Sequence, residues 1–230
     1  VRLALGGELV PDAVNVQGGV LAEPVRPLLP LAEKLGAIAS KLSGAAIERI
    51  DVEVQGEAAG EDVRVLELSA LKGVFGQLVD DPVSYVNAPI MAKNRGVEVH
   101  LSTTPDSADH RSVVTVRTTQ VDGGRVCVAG TVVGPRDEAR LVQIDEFDVE
   151  VAITDHMAFL GYVDRPGVVG KLGQILGDAG INIAGMQVGR TDAGGRALTV
   201  LTVDSAVPAP TLDTIVAQIG AGYGRAVDLA

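Results

Sequence analysis

The chain has 230 residues, enough for two ordinary domains with a core each, and is 47% apolar but only 3% aromatic with no Trp, so its cores are built from Val, Leu, Ile and Ala. A formal charge of −11 repels phosphate backbones and anionic lipid, which sets aside nucleic-acid and membrane-surface binding. No run approaches the ~20 apolar residues of a bilayer span and no basic-then-apolar leader opens the chain; the single cysteine, Cys127, between Val126 and Val128, excludes an internal disulfide and reads as a small buried strand residue in a reducing cytoplasm.

Residues 1–7 read as the end of a helix that begins without an initiator Met, which suggests a piece of something longer. Residues 8–24, with Pro11, Asn15, Gly18, Gly19 and Pro24, have linker composition. Leu28, Leu31, Leu35, Ile38, Ala39 and Leu42 recur at spacings of three and four and predict an amphipathic helix over 25–42, closed by Ser43-Gly44. Ile50, Val52 and Val54 alternate with Asp51, Glu53 and Gln55, a half-buried strand. Val63, Leu66, Leu71, Val74, Phe75 and Leu78 mark a second helix before the Asp80-Asp81-Pro82 break, and a short helix runs from Pro89 to near Gly96. From 97 to 150 the sequence is strand-rich: 113–121 and 126–133 flank Asp122-Gly123-Gly124, a strong hairpin signal. A strand at 139–144 would complete an antiparallel sheet carrying the helices, so this part is α+β.

The last eighty residues alternate more sharply. An apolar strand at 157–163 meets Pro166-Gly167, which opens a helix whose Val168, Leu172, Ile175, Leu176 and Ala179 share a face before Gly180. A strand at 181–190, a hairpin loop at 191–195, a strand at 196–203, a helix from Pro210 with Leu212, Ile215, Val216 and Ile219 buried, and a strand at 222–229 follow. The order βαββαβ is the ferredoxin-like plan.

No catalytic constellation and no metal-ligand set emerge. His100, His110 and His156 are scattered without the short spacings that place two imidazoles on one metal. Asp145, Glu146, Asp148 and Glu150 read as a wet strand face before a cation site. The run Gly167-Val-Val-Gly170-Lys-Leu-Gly173 lacks the G-x-G step of a dinucleotide turn, and its glycines suit close helix–sheet packing instead. The informative segment is Tyr162-Val163-Asp164-Arg165-Pro166-Gly167, a strand running into a helix, with Ile181-Asn182-Ile183 opening the next strand. Free amides at a helix N-terminus, from Val168 onward, accept a carboxylate. Beside it, Asp164 would attract an α-ammonium with up to about 4 kcal/mol of Coulomb energy at an effective dielectric of about 20, before desolvation. Asn182 supplies one acceptor and two donors for what is left. The bland alternative is that Asp164 caps the helix and Asn182 satisfies local backbone.

Residues 150–230 resemble an ACT domain, the amino-acid sensor of many amino-acid pathway enzymes, whose first loop carries an acceptor and then x-Pro-Gly. This chain departs from the phosphoglycerate dehydrogenase branch, which often shows His and Asn, by having Tyr162 and Asp164. Residues 5–16 (LGGELVPDAVNV) resemble the exit from the catalytic core of long-form D-3-phosphoglycerate dehydrogenases, and Tyr85-Val86-Asn87-Ala88-Pro89 resembles a signature of their intervening domain, which is similar to one in iron–sulfur serine dehydratases. The resemblance implies an exit helix and hinge at 1–16, an intervening domain at 17–149 and an ACT domain at 150–230. It implies a parent that oxidises 3-phosphoglycerate with NAD and is inhibited by L-serine, with catalytic groups and cofactor lying upstream of Val1, so that the chain alone is inactive and holds no cofactor. It also implies a homo-oligomer, a tetramer, whose effector site at a subunit interface takes Tyr162, Asp164, Pro166, Gly167 and Val168 from one chain and Asn182 and Ile183 from its neighbour. A second, anionic effector such as the phosphorylated substrate would use Asn87, Lys93 and Arg95, for which a solvated helix end is the alternative. Two other readings stay open: an oligomerisation module without ligand binding, and a fragment related to serine dehydratase.

Overall fold

The computed structural model describes residues 21–79, 81–192 and 194–230. The expected exit helix and hinge at 1–16, the linker up to residue 20, Asp80 of the 80–82 break and Ala193 of the hairpin loop lie outside the described residues. The chain divides into two compact units between Ala139 and Arg140.

The first unit contains helix α1 (Leu28–Leu42), strand β1 (Ile47–Gly56), a 3-10 turn (Glu57–Gly60), helices α2 (Arg64–Gly76) and α3 (Ala88–Asn94), and strands β2 (Glu98–Thr104), β3 (Ser112–Gln120) and β4 (Arg125–Val133). The helix expected from residue 25 starts at Leu28, because residues 23–27 are spent on turns such as Val25 N to Ala22 O, and Pro27 has no N–H to give the ladder. Leu28, Leu31, Leu35 and Ile38 of α1 and Ile50, Val52 and Val54 of β1 are all fully buried, and α1 packs on β3 and β4. The strands lie in the order β2-β1-β3-β4, with Val52 opposite Val116 and Val116 opposite Val128. The expected antiparallel sheet has one parallel pair: β2 runs alongside β1, Ile50 opposite Val99. A parallel neighbour requires a long crossover, and α2 with α3 supplies it. Cys127 is half-buried rather than buried, because it faces Arg117 across the β3–β4 ladder on the side away from the helices.

On α2, burial pushes the Glu67 carboxyl above its ordinary value, against a smaller opposing pull from His100. A carboxyl so raised disfavours its charged form in the folded state. Glu67→Gln is therefore expected to raise the thermal midpoint at pH 7, and the advantage to fade as pH falls through the raised value towards that of the unfolded chain, where both side chains are neutral. Melting curves across that range check it.

Strand β5 (Glu138–Ile144) straddles the division and pairs with β6 (Phe147–Ala152); the second unit then holds β7 (His156–Val163), α4 (Val168–Asp178), β8 (Ile183–Arg190), β9 (Arg196–Val203), α5 (Ala209–Ile219) and β10 (Tyr223–Asp228). The sheet order β10-β7-β9-β8, antiparallel throughout, is that of the ferredoxin-like plan. Leu160, Leu201, Leu172, Leu176, Ile215 and Ile219 form the core between sheet and helices. On β6, Phe147, Val149 and Val151 are buried while Asp148 and Glu150 face solvent, so the acidic stretch is a wet face. A domain junction at 149/150 would cut β6. The contact division lies earlier because β6 rests on β8, with Glu150 N donating to Gln187 Oε1 at 2.8 Å and Phe147 packed over Gly189.

The glycines of α4 do not serve close helix–sheet packing. Gly167 caps the helix at φ 90°, and at Gly170, Gly173 and Gly177 a Cβ would meet nothing within 4 Å, since these positions face outward. Close approaches in this unit lie at other glycines: at Gly161 a Cβ would lie 2.3 Å from the Tyr223 ring, and at Gly224 it would lie 2.6 Å from Val216 of α5, where helix meets sheet. Burial, with Asp145 and Glu146 nearby, pushes the Tyr223 phenol up to about 12.

Candidate effector-binding site

Because β7 and β8 both pair antiparallel with β9, they run parallel to each other and their C-terminal ends share one end of the sheet. Asp164, one residue past β7, therefore meets the last residue of β8: Arg190 Nη1 donates to Asp164 Oδ2 at 3.3 Å. The Asp164 amide donates to Gly195 O at 2.8 Å, which fixes the loop on the β8–β9 hairpin. Its carboxylate does not cap α4. The N-cap is Gly167, and no side chain bonds to that helix end, so the amides of the first turn lie free beside an Asp–Arg pair.

Asn182 lies at the other end of the sheet. Its Nδ2 donates to Asp204 Oδ2 at 2.8 Å and its carbonyl accepts from Asp204 N at 3.1 Å, so the side chain ties β8 to the end of β9 rather than satisfying backbone. Eight residues of extended chain separate Asn182 from Arg190, about 25 Å at the rise of a strand. One copy of this chain thus does not bring Asp164 and Asn182 together. Pro166 and Gly167 are exposed, Val168 is buried and anchors the first turn, and Ile183 packs at the edge of the core. Tyr162 points into that core, its hydroxyl sharing a 2.8 Å hydrogen bond with Thr199 Oγ1, so of the pair Tyr162 and Asp164 it is Asp164, just past β7, that offers its side chain at the loop.

The chain matches two family models in tandem: the D-3-phosphoglycerate dehydrogenase intervening domain over residues 24–145 and the ACT domain over 156–220. The first covers more than half of the sequence. This chain belongs to the D-3-phosphoglycerate dehydrogenase intervening-domain family. Relatives named D-3-phosphoglycerate dehydrogenase are 43% identical in Mycobacterium leprae and 44% in Mycobacterium tuberculosis H37Rv, each over 230 residues, 100% of this chain and 44% of theirs. One from Synechocystis is 34% identical over 223 residues, 96% of this chain and 40% of its own. The chain spans less than half the length of these relatives.

Within the ACT unit two arginines escaped the sequence reading. Arg190 could be paired with Asp164 only once the strand order was known. Arg165, inside the x-Pro-Gly loop, donates from Nη2 to Ile219 O at 2.6 Å, and Lys171 Nζ reaches Gln218 O at 3.4 Å, so two cations meet the carbonyl end of α5. Arg165→Met keeps the alkyl stem but loses this cap. It is expected to destabilise the protein by about 1 kcal/mol in urea titrations.

In the intervening-domain unit, Asn87 is occupied by its own turn: Oδ1 accepts from Ser84 N at 2.7 Å and Nδ2 donates to Pro82 O at 3.0 Å. Lys93 is exposed near the end of α3, and Arg95 lines a cleft. Among the described residues no group of three or more His, Cys, Asp or Glu could hold a metal, and no helix is long and apolar enough to cross a membrane. Glu146 is paired with Arg196 at 2.8 Å.

Proposed function

We propose that this chain is the regulatory part of a cytoplasmic, long-form D-3-phosphoglycerate dehydrogenase, and that its ACT unit binds L-serine as a feedback inhibitor between two copies. The parent would oxidise 3-phosphoglycerate with NAD through catalytic groups outside this chain. The observation that carries the reading is the placement of the Asp164–Arg190 pair and Asn182 at opposite ends of β8, the edge strand of its sheet. A two-fold axis that sets β8 antiparallel to β8 of a second copy returns each Asn182 to the other copy's Asp164, giving two equal sites. Met186 on β8 and Val169 on α4, 40% and 46% exposed, and the open glycines of α4 leave that flank ready for close approach. Further contacts through the intervening units would build a tetramer.

In that site the ammonium of serine meets Asp164, its carboxylate meets Arg190 and the first amides of α4, and its hydroxyl meets Asn182. A ligand that spans two copies favours the associated arrangement by its differential affinity, and inhibition runs on that difference. Calorimetry with L-serine on the chain is expected to give micromolar affinity, about 8 kcal/mol. Absence of both heat and a thermal shift with L-serine overturns the reading.

One observation favours an oligomerisation module without a ligand: Arg190 already satisfies the Asp164 carboxylate. An oligomer by size exclusion with no thermal response to any common amino acid would establish it. Nothing favours a serine-dehydratase-like fragment, since iron–sulfur ligation uses several thiolates and the sequence has one cysteine.

A further inference from the structure

We propose that the second unit carries a binding site for a small organic cation with a flat apolar body, an amine or amidine, on the face of its sheet turned away from α4 and α5, beside the β5–β6 turn. Leu160 and Tyr162 of β7 belong to the core under the helices, so Gly161 and Val163, alternating with them, face the other way. Tyr223, opposite Gly161 on β10, shares their side. A cavity of about 430 Å³ opens there, and all of its lining belongs to the second unit. Because Gly161 has no side chain, the Tyr223 ring crosses onto β7 and stands where a Cβ would be. Phe147 and Val163 continue this apolar wall, and Val163 is 63% exposed.

The rim sets the charge that this cavity favours. Ile144 and Phe147 pair across the β5–β6 turn, which puts Asp145 and Glu146 at its tip, and both line the cavity, Asp145 half-buried and Glu146 exposed. The cations nearby are already engaged: Arg196 with Glu146 at 2.8 Å, Arg225 Nη1 with Gly224 O at 2.9 Å, and Arg165 Nη2 with Ile219 O at 2.6 Å. The balance left at the Tyr223 hydroxyl is negative, since burial, Asp145 and Glu146 push the phenol up to about 12 against a weaker opposing pull from Arg225. The phenol therefore stays a neutral group whose oxygen accepts from an N–H donor. A bound cation meets the Asp145 carboxylate, donates to that oxygen and lays its apolar body on Phe147 and Val163, beside the Tyr223 ring. An anion would meet two carboxylates, and a neutral molecule gains the apolar contact alone. The site is independent of the serine reading: Asp164, Arg190 and Asn182 take no part in it, and its ligand differs in charge.

Titration of the 230-residue chain with benzamidine, followed by amide NMR and calorimetry, tests it against two molecules of nearly the same shape, neutral benzamide and anionic benzoate. The expected result is saturable benzamidine binding with a Kd of about 1 mM that shifts the Asp145, Val163 and Gly222 amides, with benzamide and benzoate at least about tenfold weaker. Asp145 sits at φ 50°, a left-handed conformation that Asn also adopts, so Asp145→Asn removes the charge and keeps the turn; it is expected to weaken benzamidine about tenfold. Tyr223→Phe, which keeps the ring, is expected to weaken it about threefold. The three probes on the wild-type chain decide the charge preference even where a variant fails to fold. No saturable benzamidine binding, benzamide or benzoate binding as tightly, affinity unchanged in a folded Asp145→Asn, or shifts confined to residues 21–139 would each overturn the proposal.

Discussion

Adding one methyl group at Gly73 is expected to destabilise the intervening-domain unit by about 3 kcal/mol or more. A Cβ built there would lie 1.9 Å from the carbonyl oxygen of Glu33 and 2.9 Å from the amide nitrogen of Ala37, and one at Gly36 would lie 2.1 Å from the carbonyl oxygen of Ala70. Each glycine thus faces the backbone of the other helix, so α1 and α2 cross with no side chain between them. Backbone cannot swing aside as a flexible side chain can. Ser69 Oγ, donating to Leu29 O at 2.7 Å, and Lys72 Nζ, 2.9 Å from Glu33, span the same crossing and would be pulled apart with it. Because the helices need separate only once, Gly36→Ala and Gly73→Ala together should destabilise by less than their sum. Gly76→Ala is the control: it lies on the same helix, a Cβ there meets nothing within 4 Å, and better helix propensity gives up to about 1 kcal/mol in its favour. Urea midpoints for the four variants decide the matter. Gly73→Ala unfolding with the wild type would mean that the helices do not touch at these glycines.

That crossing was not legible in the sequence, although both helices were. Leu28 to Leu42 and Leu66 to Phe75 announce their buried faces by spacing, and Asp122-Gly123 announces its hairpin, with Gly123 at the φ of 84° the turn requires. Such signals are local, set by a residue's own backbone and by neighbours three or four positions away. The parallel edge strand β2 gave no comparable signal, because only Val99 and Leu101 alternate on it and both are half exposed. The candidate site was legible as a set of residue types and not as an arrangement. The strand-to-helix turn at Asp164-Arg165-Pro166-Gly167 was visible, but Arg190 becomes its neighbour only through the placement of β9 between β7 and β8, and Tyr162 and Val163 face opposite sides of the sheet in a way that depends on register. Asn182 read as a companion of Asp164 on residue type alone, and strand direction puts the two at opposite ends.

That separation makes an expected result for mixed variants. Asp164→Ala alone and Asn182→Ala alone are each expected to weaken L-serine binding by about ten- to a hundredfold, since each leaves a charged or polar group of the ligand without its partner. If a site takes Asp164 from one copy and Asn182 from another, a dimer formed by one chain of each variant holds one site with both residues altered and one with both intact. An equal mixture, exchanged by dilution and reassociation, should therefore regain wild-type affinity in about a quarter of its sites: half of the dimers are mixed, and each has one good site of two. If instead both residues act within one chain, every site in the mixture carries one defect and nothing returns. The two models predict the same loss for each variant alone and differ only on mixing, so the test does not depend on how large either loss is. Arg190→Ala sharpens it further. In the two-copy site Arg190 belongs to the same half as Asp164, so mixing Arg190→Ala with Asn182→Ala should restore binding, whereas mixing it with Asp164→Ala should not.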